Sequence, residues 1–156
     1  MIKTDCYRKP VMVDQVACII EVLEMSGLEP HQVHRNQVLS DADAFMVVYS
    51  TKSRSSLSSI HRLTTQIMGI KRNVSYPVVL IGHDYGVDSR QAEREVSHKE
   101  GAGHAQAAHC DFAEASASNY VDVEKTIFDL IRILRRKKNL PPVCCEPCQC
   151  EHGARF

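Results

Sequence analysis

Two apolar runs, AFMVVYS (44–50) and VVLIG (78–82), bracket SSLSSIHRLTTQIMGIKR (55–72), and this trio constrains the fold most. Leu57, Ile60, Leu63, Ile67 and Ile70 recur at steps of three and four, the period of an amphipathic helix. The flanking runs are continuously apolar, as in strands covered on both faces. Parallel strands need a crossover of a dozen residues or more, usually a helix, and that is what separates these two. The expectation is an α/β domain with a parallel sheet.

The rest of the chain is read around that unit. PVMVDQ (10–15) and ACIIEVL (17–23) form an expected antiparallel hairpin turning near Gln15-Val16. A polar stretch to Asp43 suits a loop with a short helix. After Gly82 comes a polar segment, expected to be helical from Ser89 to about Glu100, then Ala- and Gly-rich residues and a weaker strand near HCDFAEA. A last helix is expected from Asp122 to about Lys138, with Val123, Ile127, Leu130, Ile131 and Leu134 on one face. Arg135, Arg136, Lys137 and Lys138 suit a helix carboxyl end, and Asn139 with Pro141-Pro142 stops it. Residues 1–139 are expected to form one domain, and 140–156 an unstructured, Cys-rich tail.

Composition narrows the function classes. Lysines and arginines number 19, as do aspartates and glutamates, so no net basic field points to nucleic acid. No apolar run approaches the ~20 residues of a membrane-spanning helix. MIKTDCYRKP lacks the apolar core of a secretory signal, so a cytoplasmic, reducing compartment is expected. Four of the seven cysteines crowd into residues 144–150, which is not how a disulfide framework is distributed. The histidines lack partners at metal-ligand spacing, and no metal site is expected in the body of the domain.

DCYRKPVMVDQVACIIEVLE (5–24), ADAFMVVYS, VVLIGHDYGV and EASAS (114–118) together resemble the Ras family of small GTPases; the match runs almost from residue 5 to residue 134, and its first twenty residues stand in one ungapped register. The resemblance implies a P-loop-NTPase-like, Ras-type α/β fold: a mostly parallel sheet with helices on both faces. The family's first strand and phosphate-binding loop have no counterpart here. The family strand is expected between 44–50 and 78–82, leaving a gap there that is closed by the two strands, filled by a partner, or explained by an incomplete product of a longer gene.

The resemblance further implies GTP or GDP with Mg²⁺, and a GTP-dependent signalling switch. The family's motifs are altered. No G-x-x-x-x-G-K-[ST] occurs in the sequence, so the backbone cradle for the phosphates is missing. The switch threonine falls on Ile2. LEMSGLEP (23–30) aligns with the Asp-x-x-Gly-Gln-Glu switch loop, so Glu24 stands at the metal-side acid, Gly27 is kept, and Leu28 replaces the water-orienting glutamine. That glutamine's role is the general one for Ras-type hydrolysis, and leucine cannot fill it. His83, Asp84 and Gly86 lie where Asn-Lys-x-Asp reads guanine, so the discriminating carboxylate is gone. Ser116 and Ala117 are kept, but Ser118 replaces a lysine. A nucleotide-impaired chain is expected.

Asp5, Tyr7, Arg8 and Lys9 keep the family's effector-binding string, which implies effector or regulator proteins as partners, docked by strand pairing and charge. A solvated edge strand guarded by charges is the plainer reading of the same residues. Cys144, Cys145, Cys148 and Cys150, next to the basic cluster, allow palmitoylation and contact with the inner face of the plasma membrane. Metal binding by Cys145, Cys148, Cys150 and His152, and unmodified thiols, stay open beside it. The functional alternatives are a nucleotide-impaired effector-binding protein, an incomplete product of a working GTPase, and a binding module with a metal-binding tail.

Overall fold

The computed structural model describes residues 5–25, 32–72, 76–84, 93–139 and 154–155. In chain order the elements are β1 (Asp5–Val13), β2 (Val16–Glu24), α1 (Gln32–Asp41), β3 (Phe45–Ser50), α2 (Arg54–Ile70), β4 (Val78–His83), α3 (His98–Ala107), β5 (Asp111–Ala115), α4 (Tyr120–Lys137) and β6 (Ala154–Arg155). They build two three-stranded sheets, β1-β2-β6 and β3-β4-β5.

The hairpin β1-β2 is antiparallel and turns at Asp14-Gln15, one residue earlier than expected. Both turn residues have positive φ, 52° and 64°. Such a turn matches the right-handed twist of the flanking strands. Val16 is β-branched and a poor occupant of that backbone region, so it starts β2 instead.

β3, β4 and β5 are parallel, with Phe45 opposite Val78 and Val79 opposite Asp111. The expected gap between β3 and β4 is therefore not there: the two strands pair along all six residues. The α2 crossover simply sets consecutive strands side by side. It is the other edge of β3 that has no strand among the described residues. There the end of β2 approaches, and Leu23 and Met25 share a cavity of about 100 Å³ with Phe45, Met46 and Val47.

Helices cover both faces of the parallel sheet. Phe45, Val47, Tyr49 and Leu80 pack with Leu57, Ile60 and Ile67 of α2 and Ala105 of α3. Ala44, Val79, Ile81 and Ala115 pack with Leu130, Ile131 and Leu134 of α4, joined by Val13 and Ile20 of the hairpin. One part of the two-face expectation fails: Val48 on the α4 side is 57% exposed.

The helix after Gly82 also starts later than the polar composition suggests. Residues 93–97 are not helical, and α3 runs through the Ala- and Gly-rich stretch. A capping box sets that start: Ser97 accepts from the Glu100 amide while the Glu100 carboxylate accepts from the Ser97 amide. Asn119 caps α4, and Asn139 follows its end at φ 48°. In the expected tail, 154–155 is a strand; 140–153 and 156 lie outside the described residues.

Candidate functional site at the carboxyl ends of the parallel strands

Ser50, His83 and Ala115 stand side by side in register as the last residues of β3, β4 and β5. Open α/β sheets bind ligands just beyond such strand ends. The row is tied by backbone bonds: the Thr51 amide donates to the His83 carbonyl at 3.0 Å and the Asp84 amide to the Ala115 carbonyl at 3.4 Å. His83 Nδ1 lies 3.1 Å from that same Ala115 carbonyl. Lys52 Nζ sits 3.4 Å from Asp84 Oδ1. The Ser116 and Ser118 hydroxyls are 2.7 Å apart, and Ala117 is exposed between them. His83 and Asp84 are thus brought to one end of one sheet with Ser116, Ala117 and Ser118, which lie more than thirty residues further along the chain. Gly86 lies outside the described residues.

Sequence reasoning missed three contributors. Lys52 follows β3 by two residues, and this position beyond a strand end was the available signal. Arg94 makes two bonds of 2.9 Å to Glu114 and holds its carboxyl below the usual carboxylate range. Tyr49 is buried with its hydroxyl unpartnered among the described residues, and burial raises its phenol pKa. Its hydroxyl lies against Gly82 and Gly101, where a Cβ would come within 2.8 Å and 2.1 Å.

Arg54, at the start of α2, locks the site's flank. It donates to Glu100 Oε1 at 2.7 Å and to the Glu95 carbonyl at 2.6 Å. Arg54 and the two Ser97 bonds lower the Glu100 carboxyl to about 2. A lowered carboxyl stabilises the fold above its unfolded value and loses that contribution as the proton returns. Folding stability is therefore expected to fall as pH drops from 4.5 toward 2, and Glu100→Gln is expected to flatten that limb. Urea midpoints at pH 5, 4, 3 and 2 measure it; equal slopes in both proteins would contradict the assignment.

The switch-loop residues divide. Glu24 ends β2 and is exposed, whereas Gly27 and Leu28 lie outside the described residues. The effector string divides too, because alternate strand residues face opposite ways. Tyr7, 58% exposed, and Lys9 share the face of Val22 and Ile20, and Lys9 Nζ reaches the Tyr120 hydroxyl at 3.2 Å. Arg8 points to the other face, 3.5 Å from Glu21. Asp5 begins β1.

A family model described as the Ras family matches residues 1–136 of the 156. The chain belongs to the Ras family. Relatives include Ras-like protein 1 of Pyricularia oryzae, 40% identical across 86% of this chain and 62% of its own length. Ras-like protein B of Aspergillus fumigatus is 34% identical, with 86% and 64% covered. Protein ras-2 of Neurospora crassa is 35% identical, with 86% and 66% covered. The chain thus spans less than two thirds of the length of these relatives. The Ras-type α/β fold read from the motifs agrees with the parallel sheet and its two helical layers.

In this Ras-family chain the basic end of α4 is largely spent on internal contacts. Arg135 donates to the Val13 and Val16 carbonyls, Lys137 to the Tyr76 carbonyl, and Lys138 pairs with Asp43. The four tail cysteines lie outside the described residues. Among the described residues no cluster of His, Cys, Asp or Glu has metal-site geometry, and no helix is long and apolar enough to cross a membrane.

Proposed function

We propose that this Ras-family chain is a signalling module that works through protein recognition on β1, with GTP turnover impaired. The observation that carries the reading is the exposed strand itself: β1 has no strand on its outer edge among the described residues, Tyr7 is 58% exposed and the Arg8 side chain 68% exposed. An open edge with charged side chains offers backbone pairing to an effector or regulator and steers its approach.

The impaired turnover rests on residues inside the chain. Leu28 cannot orient water, and Gly86 offers no carboxylate to a guanine. A guanine nucleotide with Mg²⁺ fits the described strand ends poorly, since Asp84 faces Lys52 and the Ser118 hydroxyl faces Ser116. The reading places the chain in the cytoplasm, and attachment to the inner face of the plasma membrane through Cys144, Cys145, Cys148 or Cys150 is a separate proposal.

Binding of a recombinant Ras-binding domain tests the first half. Arg8→Glu is expected to weaken it about tenfold, which corresponds to ~1.4 kcal/mol; unchanged affinity would remove β1 as the interface. Lys9→Glu is read in parallel, with Tyr120→Phe controlling for the lost internal contact. Fluorescent GTP with Mg²⁺ tests the second half. No saturation at micromolar protein is expected, and tight guanine-selective binding would overturn it.

A further inference from the structure

The outer edge of β5 lies across its sheet from β3 and borders a groove that recognition on β1 does not use. No strand stands beyond β5 among the described residues. The Ala115 carbonyl turns toward the β4 side, where it takes the Asp84 amide. Strand alternation therefore turns the backbone groups of Phe112 and Glu114 outward. The connection 116–119 sends α4 back along β5, and a groove of about 500 Å³ runs between them over Val79, Ala113 and Leu130.

The charges along this groove suit a copy of themselves. Glu114 is paired with Arg94 and Asp129 with Arg132. Asp111, Lys125 and Arg136 line the groove with no salt bridge among the described residues, and the Asp122 carboxylate accepts from the neutral Asn119 side chain. Because α4 runs back along β5, Asp122 and Lys125 stand toward the Ala115 end and Arg136 toward the Asp111 end.

We propose that β5 and α4 form a self-complementary face that pairs with a second copy of this chain, β5 antiparallel to β5. About a two-fold axis at Ala113, Phe112 lies opposite Glu114 of the second copy, and such a pair exchanges both backbone bonds. The same axis carries Asp111 to the Lys125 end of the second copy and Arg136 to its Asp122 end, so opposite charges meet as an isologous contact requires. Asp129, midway between Asp122 and Arg136, meets its own counterpart and opposes the pairing, an effect that Arg132 beside it offsets. An unrelated strand on this edge would leave Asp111 facing no cation, which keeps the edge selective. The proposal involves no residue of β1 and stands or falls apart from the function proposed above.

Sedimentation velocity of the full chain across a concentration series tests it, with amide exchange over Asp111–Ala115 read in the same samples and thermal melts confirming that each variant folds. Dimer and protection are expected to grow together with concentration. Lys125→Glu and Asp111→Lys are each expected to weaken the dimer about tenfold, and the double exchange to restore it, since each copy then carries the swapped pair. Asp129→Asn is expected to tighten it. A monomer at millimolar concentration, or no recovery in the double exchange, would overturn the proposal. Protection over Asp111–Ala115 that ignores concentration would also do so, by assigning the edge to this chain's own residues, as would concentration-dependent protection confined to β1 and β2.

Discussion

Replacing Gly101 with alanine is expected to destabilise the fold by ~1–3 kcal/mol, the usual cost of an extra methyl in a filled core. The added Cβ would lie 2.1 Å from the Tyr49 hydroxyl and 2.8 Å from Phe112 Cζ. Helix propensity pulls the other way, since alanine is better than glycine in a helix by ~1 kcal/mol. The sign of the result thus decides which effect wins. Gly103, two residues on in the same α3, has nothing within 4 Å of its Cβ position. Gly103→Ala is therefore expected to stabilise by ~0.5–1 kcal/mol. Urea denaturation of both variants makes the comparison, and a stabilised Gly101→Ala would sink the packing account. Tyr49→Phe removes the crowding oxygen, so the double variant is expected to recover part of the loss, a coupling between contacting residues that a double-mutant cycle reads directly.

Leu130→Ala is expected to cost more, ~2–5 kcal/mol, because the lost side chain leaves a cavity that its neighbours fill only in part. Leu130 is 1% exposed and sits among Ile131 and Leu134 of α4, Val79 and Ile81 of β4, and Val13 and Ile20 of the hairpin. It touches the layer that joins the two sheets. A domain's total stability of ~5–15 kcal/mol leaves little margin for such a loss. The chevron or melting midpoint of Leu130→Ala measures it, and a change below ~1 kcal/mol would show that α4 is not what unites the sheets.

The βαβ unit was legible because its signals are local: two short apolar strands and one helical period of Leu57, Ile60, Leu63 and Ile67. The helix after Gly82 was placed too early because polarity alone does not mark a start. Ser97 and Glu100 do, through a capping box read at a fixed spacing. The position of the unfilled strand was misjudged, since strand order depends on which edges meet in space and no residue pattern records that. The motif alignment points to His83, Asp84 and Ser116, and the structure sets these at or just beyond the paired ends of β4 and β5. It did not find Lys52 or Arg94, whose partners Asp84 and Glu114 lie 32 and 20 residues away. The strand Ala154–Arg155 carries no pattern at all; two residues are too few for a period.

The tip of the hairpin is fastened by residues from the far end of the chain. Arg132 bonds the Asp14 carboxylate at 2.7 and 2.9 Å, and Arg135 takes the Val13 and Val16 carbonyls across separations of 122 and 119 residues. Closing so long a loop is slow, and its entropy must be met before the contact repays it. On a ribosome adding ~5–20 residues per second, β1 and β2 therefore meet early but remain undocked for several seconds, until α4 emerges. A nascent chain stalled before residue 132 would present a formed hairpin with its apolar side uncovered, the species a chaperone would be expected to hold.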